Sequence, residues 1–392
     1  MKAGWQTKTL GEVLEKTETV NPLQSPDTEF DYIDVSSVSN TTFEVEQTQR
    51  LKGKDAPSRA RKLVKTNDVI FATIRPTLRR IAIVPPHLNQ QVCSTGYFVL
   101  RPKSVLDYRY MYYWLFAEEF MGQMEKLQKG ASYPAVTDKE VRDQAIPFPL
   151  LPEQQRIVTL LDEAFDGIAT AKANAEKNLQ NARAIFERHL QLVFTRREDG
   201  WTEKRLADVC AITSTLVDPR KPEFLDLTHV GAGNIESKTG AFVELKTARD
   251  EGLISGKFLF DESMVLYSKI RPYLMKVARP DFYGLCSADM YPLTPVSGEA
   301  DRDYLFHLLL SQHFTDYAIE GSARAGMPKV NREHLFNYRA CMPSVDKQRE
   351  IAAKLDELHE DTQRLEAIYQ QKLTVLDELK KSLLHRAFNG EL

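Results

Sequence analysis

The sequence repeats itself once along its length, which restricts the fold to two copies of one architecture. Trp5 and Leu10 return as Trp201 and Leu206. The run Val69-Ile70-Phe71-Ala72-Thr73-Ile74-Arg75-Pro76 returns as Val265-Leu266-Tyr267-Ser268-Lys269-Ile270-Arg271-Pro272, 196 residues on. Cys93-Ser94 recurs as Cys286-Ser287, and Pro134-x-Val136 as Pro328-x-Val330. Further along, Pro149, Gln154, Ile157, Leu161, Asp162, Leu190 and Phe194 map onto Pro343, Gln348, Ile351, Leu355, Asp356, Leu384 and Phe388, all 194 residues away. An offset that drifts by so little marks a duplication. Its period of about 195 residues lies far above the solenoid range of roughly 20–50, so the copies are whole domains.

Each copy has two parts. The first mixes short β-type runs with turn residues: Asp31 to Val35, Asp68 to Ile74, Arg80 to Val84 and Gly96 to Leu100. Helical stretches follow at Tyr108 to Leu127 and at Arg302 to Tyr317. That pattern predicts an α/β (α+β) globule. In the second part, apolar residues fall in steps of three and four: Ile157, Leu161, Ala164, Ile168, Ala171, Ala175, Leu179, Ala182, Phe186, Leu190 and Val193. The later copy runs Ile351, Leu355, Leu358, Thr362, Leu365, Tyr369, Leu373, Leu376, Leu379 and Leu383. Near-heptad spacing of this length predicts two long helices. Pro152 suits a first turn, and Ser344 or Asp346 a cap. At about 1.5 Å per residue each helix would reach roughly 60 Å, longer than its globule is wide. The two seams are therefore predicted to meet in an antiparallel coiled coil. The expected boundaries are 1–152 and 197–345 for the globules, 153–196 for the first helix and 346–392 for the second with its tail.

Composition narrows the function classes. With 42% apolar and 27% charged residues the chain is globular, and no run of 18 apolar residues exists to span a membrane. The opening Met1 to Lys8 has no apolar signal core. Four widely spaced cysteines, Cys93, Cys210, Cys286 and Cys341, form no C-x-x-C pair and suit a reducing cytoplasm. Catalytic signatures are missing. Gly252-Leu253-Ile254-Ser255-Gly256-Lys257-Phe258 is one residue short of a P-loop and ends in Phe, and Gly231-Ala232-Gly233 lacks the third glycine of a dinucleotide fingerprint. The eight histidines show no metal-ligand spacing, and no Asn-Pro-Pro-Tyr-type element for gripping a target base occurs. These absences point away from an enzyme and from a cofactor or metal in this chain.

The net charge of −3 conceals a basic segment. Between Arg50 and Arg80 lie ten cations, Arg59, Arg61 and Lys62 among them, against Asp55 and Asp68 alone, a local +8. Such a cluster suits a phosphate backbone, although a solvated face is the plainer reading of Arg50 to Lys65. The turn Arg75-Pro76-Thr77-Leu78-Arg79-Arg80 is more pointed. It follows a strand, is stiffened by proline, and carries guanidinium groups suited to guanine edges or phosphates. Its repeat mate holds Lys269, Arg271 and Lys276. A second pair of candidates is the Gly/Ser-rich loop with Lys129, Ser132 and Tyr133 and its counterpart with Arg324, Lys329 and Asn331, whose backbone N–H groups can meet phosphates. A two-headed coiled-coil scaffold for proteins is the competing reading, and steep salt dependence of duplex binding separates the two.

Taken together, the helix openings Leu151-Pro152-Glu153-Gln154-Gln155-Arg156-Ile157-Val158 and Gln348-Arg349-Glu350-Ile351-Ala352, the final Leu383 to Leu392, and the openings Trp5 to Val13 and Trp201 to Val209 resemble the specificity subunit of type I restriction–modification systems. The resemblance spans the chain. One departure is that the second helix opens Pro343-Ser344-Val345-Asp346-Lys347-Gln348, without the Leu-Pro of the first. The resemblance implies two target recognition domains, each reading half of a split double-stranded DNA site, with the coiled coil setting the gap. It also implies a non-catalytic chain with two modification subunits and two restriction subunits as partners. Those partners would carry S-adenosylmethionine, ATP and magnesium.

Overall fold

The structure is a computed structural model that describes residues 4–322 and 328–392. The chain forms two units. One comprises Met1–Ala175 with Gln371–Leu392, and the other Glu176–Gln370.

In the first unit, a four-stranded sheet runs in the order Gln49–Lys52, Glu29–Ile33, Gln91–Ser94, Ala60–Val64. Glu29–Ile33 lies parallel to Gln91–Ser94, and the other pairs are antiparallel. A three-stranded sheet places Val69–Ala72 between Ile81–Ile83 and Tyr97–Leu100. Val69, Ile70, Phe71 and Ala72 are all buried, which explains an unbroken apolar run in place of alternation. The predicted helix over 108–127 is two helices, Tyr108–Trp114 and Glu118–Leu127. Ala117 is extended between them, and the break lets Phe120, Met121 and Met124 share one core with Tyr110 and Trp114.

The second unit repeats this plan. Thr228–Val230 lies parallel to Gly284–Cys286 in a five-stranded sheet, and Val265–Ser268 sits between Met290–Pro295 and Val277–Ala278. Its helices Arg302–Leu310 and Gln312–Glu320 break at Ser311, whose hydroxyl accepts from Phe314 N–H and donates to the Leu308 carbonyl. A serine in that position favours a fresh N-cap over a continued helix. Lys257, the lysine of the near-P-loop run, is buried and donates to the Ser255 carbonyl and hydroxyl.

The two long helices are Leu151–Thr195 and Val345–Asn389, and each gives a segment to both units. Within each unit the two segments run antiparallel. Arg156 reaches the Leu392 carbonyl and Lys172 pairs with Asp377 in the first, and Arg183 pairs with Glu366 in the second. Seam positions on the first helix are mostly buried, Ile157, Leu161 and Ala175 among them, whereas on the second only Leu355 and Thr362 are buried and most of the others are half-buried. Leu365 and Leu379, read from spacing as seam residues, are instead exposed.

The helix segments complete the cores of both units. Leu384, Ala387 and Phe388 pack into the first, where Phe388 meets the Tyr110 and Trp114 rings edge-on at 5.1 and 5.0 Å. Their repeat mates Leu190 and Phe194 enter the second, Phe194 lying 5.1 Å from Tyr304. Gln154 and Gln348, both fully buried, tie each long helix to its globule in the same way. Gln154 Nε2 donates to the carbonyls of Val105 and Pro149, and Oε1 accepts from Asp107 N–H. Gln348 does so with Glu299, Pro343 and Asp301.

An acidic residue on each long helix anchors the helix facing it. Asp162 accepts from Tyr113 at 2.5 Å and pairs with Arg109. In the second unit Asp356 takes His307 Nε2 at 2.8 Å and both terminal nitrogens of Arg279 at 2.9 and 2.8 Å. Burial opposes ionisation of Asp356, but hydrogen bonds from His307 and Arg279 outweigh it and hold its pKa below the usual carboxylate range. Burial lowers the pKa of His307 despite Asp356, and its Nδ1 has no hydrogen-bond partner among the described residues. The ring is therefore neutral, with the proton on Nε2. Both shifts act in one direction. The unfolded chain binds protons that the folded unit refuses, so this stability is fully present above about pH 6.5 and declines as pH falls. His229 and His359, also lowered chiefly by burial, add to the slope. The second unit should melt at lower temperature at pH 5 than at pH 7, and His307→Gln, which keeps a donor to Asp356, should reduce the drop. An equal drop in the variant would exclude His307 as a source.

Candidate nucleic-acid interface

Arg75 stands where the strand Val69–Ala72 runs out into a short 3-10 turn, Pro76–Leu78. Its backbone is left-handed, at φ 50° and ψ 58°, and so is that of Arg79 at φ 54°. Residues with a side chain pay about 1–2 kcal/mol for this conformation, and the residue before a proline is further restricted. The second unit reproduces the strain at the matching positions, Arg271 at φ 51° and Met275 at φ 50° around Pro272–Leu274. Buried prolines, Pro76 and Pro272, seat both turns. Both copies of the duplicated fold thus keep the same backbone strain at matching positions.

The turn and the Gly/Ser loop, more than fifty residues apart in sequence, meet in the fold. Arg75 N–H donates to the Pro134 carbonyl at 2.6 Å, and Ile74 bridges Ala135. The Arg75 guanidinium lies 5.1 Å from the Tyr133 ring centre and donates to the Ser132 carbonyl at 3.2 Å. Such an exposed cation–π contact contributes about 0.5–1 kcal/mol, enough to aim the guanidinium while leaving N–H groups free. Arg75 is exposed, and Tyr133 is 72% exposed. The second unit has the same junction: Arg271 N–H donates to the Pro328 carbonyl at 2.9 Å and Ile270 bridges Lys329. Arg271 is exposed too.

The other candidate residues divide between this junction and structural duties. Lys129 is exposed on the loop, 3.6 Å from Glu140. Lys269 and Lys329 flank Asp289 at 3.7 and 3.6 Å, and burial with the neighbouring Lys329 lowers the Lys269 pKa. Lys269 also donates to the Ala288 carbonyl, Lys276 to Ala232 and Arg80 to Val38. Asn331 caps the helix Arg332–Asn337 through His334 N–H. Arg79 is half-buried and close enough to Lys380 to depress its pKa, after burial and Lys172. Lys62 lies on the strand Ala60–Val64, pairs with Asp138 at 2.7 Å and donates to the Tyr97 carbonyl. On the same strand Arg61 bonds Asn21 and the Ser58 carbonyl, and Arg59 next to it is exposed. Arg324 lies outside the described residues.

Counting charges along the chain missed the pairing across it. Arg50 meets Glu29 and Asp31, and Lys65 meets Glu18, so much of the local +8 is neutralised by distant acids. Spacing also passed over Tyr273, which is 52% exposed on the strained turn beside Arg271, and Leu78, exposed on the first. Their place inside the Ile-Arg-Pro repeat was the available signal. Arg332, 5.9 Å from the Tyr291 ring beside Lys269, was missed for want of any motif.

Known proteins resemble this chain in sequence and fold. The profile of the type I restriction modification DNA specificity domain matches residues 2–180 and again 198–375. The specificity subunit of the type I restriction enzyme EcoDI from Escherichia coli is 28% identical over 316 residues, 71% of this chain and 69% of that protein. The MjaVIII specificity subunit from Methanocaldococcus jannaschii is 21% identical over 342 residues, 76% and 73% of the two. Among solved structures, the HsdS subunit from Thermoanaerobacter tengcongensis aligns with a TM-score of 0.74 at 26% identity, covering 100% of this chain and 98% of that one. A chain from a structural study of type I R-M complex assembly and conformational transition aligns with a TM-score of 0.83 at 25% identity, covering 100% and 99%. Among the described residues no helix is long and apolar enough to cross a membrane, and no group of three or more His, Cys, Asp or Glu is placed to hold a metal ion.

Proposed function

Because the chain belongs to the type I restriction–modification DNA specificity family, and is thus a non-catalytic DNA recognition component, we propose that each unit reads one half of a split DNA site through its strained arginine turn and the loop docked on it. The observation that carries this reading is the double junction, Arg75 with Ser132 to Pro134 and Arg271 with Pro328. Arg75 and Arg271 would make the bidentate contact with guanine or phosphate. Arg59, Lys129, Lys329 and Arg332 would follow the backbone, where contacts position and do not specify. The recognition heads would span 1–152 and 197–345, and the helical parts 153–196 and 346–392. Two modification and two restriction subunits would bind this chain, bringing S-adenosylmethionine, ATP and magnesium. Burial pushes the free thiols of Cys93, Cys210 and Cys286 up to about 12, in keeping with a cytoplasmic protein without disulfides.

Glycine substitution separates recognition from folding. Glycine relieves the left-handed strain at Arg75 or Arg271 and costs backbone entropy of similar size, about 1 kcal/mol each way, so stability should hold. Arg75→Gly in the assembled complex should weaken binding to its own DNA site by about 1–3 kcal/mol for a guanine contact, or reduce the salt slope by about 1 for a phosphate contact. Fluorescence anisotropy at two salt concentrations measures both. Methylation mapping should show Arg75→Gly relaxing one half-site and Arg271→Gly the other. Unchanged affinity, slope and methylation pattern in both variants would reject the assignment.

A further inference from the structure

The same loop lies against the helices in each unit, but the space beneath it is filled differently. In the first unit Ser39 N–H bonds the Glu44 carbonyl and Glu46 N–H that of Ser37. In the second, Glu236 bonds Ala241 and Val243 bonds Asn234, each partner 197 residues on. Phe43 therefore corresponds to Gly240, and both have positive φ, 59° and 74°. The Phe43 ring meets Phe116 edge-on at 4.8 Å, and Lys380 Nζ sits 5.7 Å over Phe43 and 4.9 Å over Phe165. By the 194-residue offset, Phe116, Phe165 and Lys380 correspond to Leu310, His359 and Phe186. No side chain can enter from Gly240, because a Cβ there would lie 2.8 Å from the Phe306 ring.

The result is a cavity of about 750 Å³ within the second unit, inside the range of about 300–1,000 Å³ typical of small-molecule sites. Phe186, Met275 and Leu310 make its apolar wall, and Phe186 and His359 lie 4.6 Å apart. Gln191 contributes a buried Oε1 with no hydrogen-bond partner among the described residues. Of the three cations on the lining, Arg183 pairs with Glu366 at 2.9 Å and Lys238 with Glu187 at 2.6 Å. Arg188 has no ion pair among the described residues. With His359 kept neutral chiefly by burial, one positive charge is left over.

We propose that this cavity is a binding site for a small planar aromatic anion that carries an N–H or O–H donor. The ring takes the place that Phe43 holds in the sister unit, the donor meets Gln191 Oε1, and the negative charge meets Arg188. The proposal is independent of how the turns read DNA.

Indole-3-acetate, which has all three features, is a suitable probe, titrated by calorimetry into the full chain. The expected result is saturable binding at one site per chain with submillimolar Kd. Arg188→Ala, a change at an exposed position, should weaken binding about fivefold or more, as loss of a charged partner requires. The double change Leu310→Phe, His359→Phe, which supplies the counterparts of Phe116 and Phe165 and fills the cavity from its own walls, should abolish binding with the melting temperature held. Uncharged 3-methylindole should bind more weakly than the acid. Absence of saturable binding at millimolar probe, two sites per chain, or an Arg188→Ala protein that binds as before would overturn the proposal.

Discussion

Gln154→Leu should destabilise the first unit by about 3 kcal/mol or more, although leucine is of similar size and more apolar. The side chain is fully buried and serves three backbone groups, so its loss leaves the Asp107 N–H and the Val105 and Pro149 carbonyls without it. Each buried polar group abandoned in this way costs about 1–3 kcal/mol. Asp107 is also the cap of the helix Tyr108–Trp114, accepting from Arg109 and Tyr110 N–H, so the damage reaches that helix. Gln348→Leu should do the same in the second unit, where Asp301 caps Arg302–Leu310. The neighbouring Gln155 is exposed, and Gln155→Leu should stay within about 0.5 kcal/mol of the parent. Urea denaturation with hydrogen exchange to localise the loss measures all three. A cost below about 1 kcal/mol for Gln154→Leu would mean that the amide is not the fastening.

Phe388→Ala should cost about 3–5 kcal/mol, the range for removing a ring from a packed core. The loss should reach the N-terminal part of the first unit, more than two hundred residues earlier in sequence, because Phe388 packs against Tyr110 and Trp114 there. Phe194→Ala should likewise weaken the second unit through Tyr304. Exchange rates resolved by unit distinguish these outcomes. If Phe388→Ala loosened only its own helix, the assignment of that segment to the first unit's core would fail.

Much of this was legible in the sequence because duplication doubles each signal. The shared Ile-Arg-Pro pointed to the two turns, and Gln154 and Gln348 sat at one offset. Three- and four-residue spacing was enough to place the long helices. What stayed hidden depends on contacts across the chain. The basic run looked unpaired because Asp138 lies 76 residues from Lys62, and Glu18 lies 47 from Lys65. The apolar count over 108–127 could not locate a break that serves core packing. The difference between Phe43 and Gly240 needed the loop hydrogen bonds to set the alignment, since the surrounding residues differ.

The make-up of the first unit, Met1–Ala175 with Gln371–Leu392, has a consequence for synthesis. Translation at roughly 5–20 residues per second leaves about a quarter of a minute to a minute between the emergence of Tyr110 and that of Phe388. For that interval the nascent first unit holds Tyr110 and Trp114 without the ring that covers them. Glu176–Gln370, contiguous in the chain, can close while its last partner is still near the ribosome exit. The head made first is the one finished last.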